Sequence, residues 1–453
     1  MLSHIDKDCN AFLSWLENKA GAEIFSALAI GKSSYGRTLY AADYIQTGDC
    51  ILKVPYPVQL APDNLPPEIY HLLGDEIGNV SKVALLILLE KKLGKNSEWA
   101  PYISSLPQPD DLHSTIFWSD EELEMIRPSA LYEETIRQKA QIEKDFMAVK
   151  LALHHFPHQF RDVTLQEFSY AYGFVTSRAW ESSSGVSMIP FADFLNHNGT
   201  SEAYVLNDET KRHSEVVADS DFVPSDEVVI KYRNFSNSTL LLDFDFTLCT
   251  NSYDQVQIEF DVPQNDGLYK RKLEILRSHH TRSVEDVNEF STSGNSFTIR
   301  KVKRESEQND GRLARYRLKD KNREIAAHQY LLCEIYRLIE EHGKHTGLLV
   351  SDHPSVVRRR LARDLLTGEL CVLESAAEWL ENYCSALYSF LRSSDTILAL
   401  GRVRQCKRHF LKHMGHGGGA SGSVPTSNSI PSPNFGDYVP DELTEEQINE
   451  MFE

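Results

Sequence analysis

The sequence predicts an α+β protein in which a β-rich domain is interrupted by a helical insertion and followed by an all-helical segment. Three observations carry this. Residues 25–60 hold short β-rich pieces, Thr38-Leu39-Tyr40-Ala41 and Cys50-Ile51-Leu52-Lys53-Val54-Pro55, separated by the turn elements Tyr35-Gly36 and Thr47-Gly48-Asp49. Residues 67–175 change to helical periodicity. Residues 186–262 then return to short strands and turns, ending in the alternation Val256, Ile258, Phe260.

Each element has its own signal. Residues 5–20 place Ile5, Phe12, Leu13 and Leu16 at near-helical spacing. In the insertion, Lys82 to Lys92 is strongly apolar, and Ser119 before Asp120-Glu121-Glu122 is an N-cap for a helix running to Ile126. Leu131 to His155 reads as a long amphipathic helix and Leu165 to Phe174 as another. Beyond residue 262, Arg323 to His342, Val356 to Leu366 and Ser375 to Phe390 read as three helices, and the basic stretch Phe297 to Asn322 as a hairpin. The organisation expected is residues 1–262 as a β-core with its insertion at 67–175, 263–400 as a helical domain, and 415–453 as a disordered tail. The tail opens on Gly417-Gly418-Gly419-Ala420-Ser421-Gly422 and is Ser/Pro/Asn-rich, with a short acidic helix allowed at Thr444 to Phe452.

The 453 residues are 41% hydrophobic and 25% charged, ordinary usage for a chain with a sizeable core. The longest apolar run, Val83 to Leu89, falls far short of the roughly 20 residues of a spanning helix. Asp6, Asp8 and Glu17 occupy what would be a signal or transit segment, so neither is expected. The net charge of -19 argues against nucleic acid as the main partner and is compatible with a basic protein segment or with solubility alone. Seven widely spaced cysteines without a CxxC pair argue against a disulfide framework and a zinc site, and for a reduced, intracellular, metal-free protein, expected in the cytoplasm with the nucleus or, after removal of a presequence, the chloroplast as alternatives.

Three segments could carry chemistry. In Tyr35-Gly36-Arg37-Thr38, Gly36 permits a positive φ or close backbone approach to a ligand, although a plain turn would look the same. In Phe191-Ala192-Asp193-Phe194-Leu195-Asn196-His197-Asn198, preceded by Thr176-Ser177-Arg178-Ala179-Trp180, polar groups punctuate an apolar stretch. That pattern suits a buried ligand site and equally a hydrogen-bonded loop. In Val229-Ile230-Lys231-Tyr232-Arg233-Asn234-Phe235-Ser236-Asn237-Ser238, a strand with a tyrosine at its end runs into a helix. Other clusters carry less: His154, His155 and His158 lack HExxH spacing, Arg402 to His413 reads as a solvated basic helix face, and Gly415 to Gly422 lacks the Lys-Ser/Thr of a phosphate loop.

Together and in this order the three segments resemble a SET-domain protein methyltransferase, specifically the Rubisco large-subunit lysine N-methyltransferase-like group. Trp99-Ala100-Pro101-Tyr102-Ile103, Leu106-Pro107 and Phe117-Trp118-Ser119 in the insertion are similar to that group as well. The resemblance covers about residues 5–395. It implies a SET core with pseudoknot-like threading, S-adenosyl-L-methionine as cofactor, and a C-terminal helical domain that docks a protein substrate. By the same resemblance the backbone around Tyr35, Gly36 and Arg37 lies against the cofactor. Ser177 and Arg178 line its pocket, Asn196 and His197 hold it, Asp193 supports their strand, and Phe246 is an aromatic beside it. Tyr232 matches the active-site tyrosine, and Tyr204 and Phe244 match aromatics around the target amine.

Two departures stand out. Thr38 follows Arg37 where a second glycine is common, and Phe244-Asp245-Phe246 stands where tyrosine-glycine-phenylalanine is usual. Phe244 keeps an aromatic wall and loses a hydroxyl, which is expected to alter the number of methyl groups added. The zinc-binding cysteine cluster that follows many histone-directed SET domains is absent from the sequence. The function expected is methylation of a lysine on a non-histone protein. The alternatives are methylation of a protein histidine and a catalytically silent SET module that binds a protein partner.

Overall fold

The computed structural model describes residues 9–20, 27–33, 36–156, 158–182, 185–259, 270, 290, 296–300, 321–348 and 355–390. Tyr35, Phe260, most of the basic stretch after Arg300, Arg402 to His413 and the tail at 415–453 lie outside them. The chain divides into two compact units, residues 1–300 with 345–369, and residues 301–344 with 370–453.

The first unit opens with α1 (Asn10–Ala20), which buries Phe12 and Leu16. Strands β1 (Leu28–Ser33), β2 (Gly36–Ala41) and β3 (Cys50–Pro55) follow. The insertion comprises α2 (Pro67–Leu72), α3 (Asn79–Leu93), α4 (Ala100–Ser105), α5 (Asp120–Leu123), α6 (Ala130–Leu153), α7 (His158–Arg161) and α8 (Leu165–Arg178). Then come β4 (Ala179–Ser182), β5 (Gly185–Met188), β6 (Asn196–His197), β7 (Val205–Asp208), β8 (His213–Val217) and β9 (Glu227–Ile230). After α9 (Asn237–Phe244), β10 (Gln255–Glu259) pairs antiparallel with β11 (Ser296–Arg300). Among the described residues the other sheets have the orders β1-β2-β9-β6, β3-β8-β7 and β4-β5.

The insertion is built around α3. Its run Val83 to Leu89 is at most 4% exposed, so this helix is apolar all round because it is enclosed on every side. Among the described residues no helix is long and apolar enough to cross a membrane. α6 buries one stripe, Leu131, Thr135, Ile142, Phe146, Val149 and Leu153, at the spacings of a single helix face. The predicted cap on α5 is present and reciprocal. Ser119 Oγ accepts from the Glu122 N–H at 3.2 Å, while the Glu122 carboxylate accepts from the Ser119 N–H at 2.9 Å. Thr164 and Glu167 build the same device at the start of α8.

The second unit packs parts of two long helices, α10 (Lys321–Leu348) and α11 (Val356–Phe390). Leu332, Ile335, Leu338 and Ile339 of the first are buried, as are Val372, Leu373, Ala377 and Leu380 of the second. α11 departs from the sequence reading, which broke it between Leu366 and Ser375. Gly368 invites that break, yet the glycine serves close packing instead. A Cβ there would lie 2.4 Å from Asp254 Oδ2 and 3.3 Å from Asn237 Nδ2. Its neighbour Glu369, 3% exposed, accepts from Ser129 Oγ at 2.7 Å and Ser238 Oγ at 3.1 Å. With helical spacing of apolar residues on both sides, the helix continues through.

Candidate active site

Strand β9 organises the site. β2 lies antiparallel on one side, pairing Leu39 with Val228 and Tyr40 with Glu227. β6 lies parallel on the other, pairing Asn196 with Val229 and His197 with Ile230. The chain then folds across itself: the Asn198 N–H donates to the Ile230 carbonyl at 2.9 Å, and the Lys231 N–H to the Ala203 carbonyl at 2.7 Å. Residues 231 and 232 are thereby bracketed between 195–197 and 203. The Tyr232 N–H donates to His197 Nδ1 at 3.1 Å, and its phenol donates to the Leu195 carbonyl at 2.7 Å. This crossing brings Asn196, His197 and Tyr232 together although 35 residues separate the last two.

The titrations of the pair follow from that enclosure. Burial pushes the Tyr232 phenol up to about 12, against the pull of the Arg178 charge. Burial, and then the Lys231 charge, push His197 down to about 4, so its ring is neutral near pH 7. Because Nδ1 accepts the Tyr232 N–H, the ring proton sits on Nε2.

Aromatic rings surround this tyrosine. Its ring centroid is 5.1 Å from Phe244, 5.2 Å from His197 and 5.4 Å from Trp180, the last edge-on at 83°. Phe246 lies 6.0 Å from His197, and Phe235 lies 5.1 Å from Phe244. Tyr204, expected beside them, is 55% exposed just before β7 and is not among these stacked rings.

The end of α8 supplies the second flank. This helix runs past the predicted Phe174 to Arg178, which places Ser177 and Arg178 in its last turn. Ser177 Oγ donates to the Gly173 carbonyl of its own helix at 2.8 Å. Arg178 Nη1 donates to the Asp193 carbonyl at 2.9 Å, fixing the short turn Ala192–Phe194 that leads into β6. Asp193 is 6% exposed and takes a hydrogen bond from the Tyr102 phenol at 2.9 Å. Burial raises its carboxyl to about 6, with the Arg178 charge and the Tyr102 hydrogen bond pulling the other way. Three buried atoms on this flank have no protein partner: Arg178 Nε, Trp180 Nε1 and Asp193 Oδ1.

Gly36 opens β2 with φ +102°, a conformation any larger residue would hold only under strain. Arg37 Nη1 donates to the Ser105 carbonyl at 2.6 Å. Both sequence departures have physical accounts. Asp245 stands where glycine is usual because φ there is +71°, the left-handed region that Asp tolerates better than most residues. Its carboxylate accepts from the Ser114 N–H, and burial raises its pKa to about 7. Thr38 is fully buried, and its hydroxyl donates to Glu227 Oε1 at 2.6 Å. The Asn196 side-chain amide reaches the same oxygen at 2.9 Å.

Trp180 and Tyr102 stood in the quoted motifs but were given no role from the sequence, and Glu227 was not named at all. Trp180 had a usable signal, since it stands in the same quoted segment as Ser177 and Arg178. Glu227 had none, because its contacts depend on which strands flank β9. Among the described residues no group of three or more His, Cys, Asp or Glu could hold a metal ion.

No family model matches the sequence. Individual proteins do. The chain is 28% identical over 300 residues to the chloroplastic Rubisco large-subunit N-methyltransferase of Nicotiana tabacum, covering 61% of this chain and 58% of that protein. It is 26% identical over 290 residues to the chloroplastic fructose-bisphosphate aldolase-lysine N-methyltransferase of Arabidopsis thaliana, covering 61% and 60%. With the actin-histidine N-methyltransferase of Rattus norvegicus it shares 26% over 279 residues, 57% of this chain and 45% of that one. The matched region thus spans about three-fifths or less of these relatives. Rubisco LSMT bound to sinefungin and monomethyllysine superimposes with a TM-score of 0.64 at 20% identity, covering 84% of this chain and 93% of that one. The SET domain of LSMT bound to methyllysine and AdoHcy gives 0.64 at 19%, covering 92% and 98%. The chain therefore has the α+β fold of the LSMT SET structures and is similar in sequence to the Rubisco large-subunit methyltransferase group.

Proposed function

We propose that the chain is an S-adenosylmethionine-dependent protein-lysine N-methyltransferase acting on a non-histone protein. The observation that carries this is Tyr232, held by the Leu195 carbonyl and His197 inside a ring of Trp180, Phe244 and His197 where strands β6 and β9 end. The flank at the end of α8 suits the cofactor. Arg178 Nε and Trp180 Nε1 are buried donors without protein partners, which an anionic or carbonyl acceptor would satisfy. In this reading Gly36, Arg37, Ser177, Arg178, Asn196, His197 and Phe246 line the cofactor, with Tyr35 at the turn and Asp193 bracing β6. Phe244 walls the target amine, and the exposed Tyr204 meets the incoming substrate.

S-adenosylmethionine, when bound, supplies a sulfonium methyl group. The protein's task is to orient a nucleophile and exclude water. With a reference pKa of about 10.4, only on the order of 0.1% of a lysine is neutral near pH 7.4, a deficit of about 4 kcal/mol. A desolvated channel offsets that deficit by disfavouring the ammonium. Tyr232, with its pKa near 12, stays protonated and is not the base. Its proton is committed to the Leu195 carbonyl, which leaves the phenol oxygen free to accept an amine N–H and so aim the lone pair. The aromatic walls tolerate the cationic product through their π faces.

The protein substrate is proposed to dock through the helical segment at 263–400, and the enzyme to act in the cytoplasm, although the plant relatives are named as chloroplastic. The actin-histidine relatives support a second reading, methylation of a protein histidine. An imidazole of pKa about 6.5 needs little deprotonation. The deciding experiment incubates the full chain and its Tyr232→Phe variant with methyl-labelled cofactor and fractionated cell protein, then identifies the labelled amino acid after hydrolysis. Labelled methyllysine that depends on Tyr232 supports the first reading, and labelled methylhistidine the second. A folded chain that binds no cofactor and labels nothing leaves the silent-module alternative.

A further inference from the structure

We propose that Glu227 is a positioning residue that sets the direction of the Asn196 side-chain amide, and that Thr38 is its brace. The inference rests on the cofactor reading above and adds two residues, Glu227 and Thr38, that reading does not use. Glu227 sits on β9, with Thr38 on β2 to one side and Asn196 on β6 to the other. One carboxylate oxygen, Oε1, accepts both the Thr38 hydroxyl at 2.6 Å and the Asn196 Nδ2 at 2.9 Å.

The consequence is chemical. An amide can present either its oxygen or its nitrogen, and only hydrogen-bond partners decide which. A carboxylate accepts and never donates when ionised, so the Asn196 NH2 must face Glu227 and its Oδ1 is left to accept elsewhere. An acceptor oxygen suits an ammonium donor, such as the amino group at the amino-acid end of the cofactor. Flipped, the same side chain would present an N–H and repel that cation.

Thr38 gives the brace its specificity to this chain. A glycine at this position has no hydroxyl, whereas here a fully buried Thr–OH pins Oε1 from the opposite strand. The β-branched residue that departs from the group's turn thus contributes a donor rather than only narrowing the backbone.

The test is calorimetric binding of S-adenosylmethionine, and of its analogue lacking the α-amino group, to the full chain and its variants. Glu227→Met removes the acceptor at similar length and should weaken cofactor binding about 10-fold or more, while Glu227→Gln keeps one acceptor oxygen and should restore most of it. In an Asn196→Ala background the Glu227→Met penalty should vanish, since the effect runs through Asn196. The penalty should also be absent for the desamino analogue. Thr38→Val should show the same pattern at smaller size. A penalty that persists in the Asn196→Ala background, or is equal for both ligands, overturns the proposal in favour of a purely structural Glu227. Unchanged binding in Glu227→Met overturns it as well. A folded wild type that binds no cofactor removes the enzyme reading itself, and this inference with it.

Discussion

The two flanks of the candidate site treat their polar groups in opposite ways. On the strand flank, the Thr38 hydroxyl, the Asn196 amide, and the N–H and phenol of Tyr232 all have protein partners between 2.6 and 3.1 Å. On the flank at the end of α8, Arg178 Nε, Trp180 Nε1 and Asp193 Oδ1 are buried without one. An unsatisfied buried group costs about 1–3 kcal/mol, so three of them along one short stretch of structure are a standing cost to folding. Such a cost is tolerated where something other than the protein completes the bonds. The strand flank is finished by folding, and on the proposed reading the helix-end flank would be finished by the cofactor.

The largest expected effect breaks the finished side at its centre. Tyr232→Phe keeps the ring and its contacts with Trp180 and Phe244 but removes the phenol, and methyl transfer should fall about 100-fold or more while cofactor binding stays close to wild type. Equal losses of binding and transfer would show that the hydroxyl only supports the fold. The next sharpens the contrast between flanks. Trp180→Phe retains an edge-on ring and deletes an N–H that has no protein partner. Cofactor or substrate affinity should drop about 5- to 30-fold while the melting temperature holds or rises, because a buried orphan donor is gone. Thr38→Val should do the reverse to stability and lower the melting temperature, since Glu227 loses a donor. If both substitutions lower stability alike, the two flanks do not differ as described.

A smaller effect concerns the cap of α9. Asp245→Ala loses the bond from the Ser114 N–H and places an alanine at φ +71°, costing about 1–2 kcal/mol in denaturant unfolding. Asp245→Gly relieves the backbone and should cost less. The opposite order would mean that the aspartate, not the left-handed turn, fixes Phe244 and Phe246.

Much of this fold was legible because its signals are local. The cap at Ser119, the enclosed run Val83 to Leu89 and the stripe on α6 all depend on residues within a few positions of one another. Asn196, His197 and Tyr232 were legible by another route, as pieces of three ordered motifs that resemble one family. Glu227 was not, because its meaning depends on a parallel pairing of β6 with β9 that no local pattern encodes. The break read between Leu366 and Ser375 failed for the same reason: only the approach of Asp254 shows that Gly368, which lies in that gap, permits packing within one continuous helix. The exposure of Tyr204 likewise follows from tertiary placement, which its aromatic character does not predict.

The smallest effect expected is on the pH dependence of stability, and its sign separates burial from ion pairing. Burial raises Asp193 to about 6, and Asp243 and Asp245 to about 7, from an ordinary value near 3.8. Between those values the folded chain keeps protons that the unfolded chain has lost. The stabilisation these groups provide is therefore complete below about pH 4 and disappears as pH rises through 6 to 7. The melting temperature should accordingly fall from pH 5 to pH 8, the opposite of what salt-bridged carboxylates would give. The net charge of -19 pushes the same way, so the wild-type slope alone decides nothing. Asp243→Asn isolates the local contribution, since general repulsion is nearly the same in both proteins. The variant should match the wild type near pH 4 and exceed it at pH 8, by about 1 kcal/mol after solvent screening is allowed for. Parallel melting curves across that range would mean that Asp243 is ionised in the folded chain and that its surroundings are more polar than its burial implies.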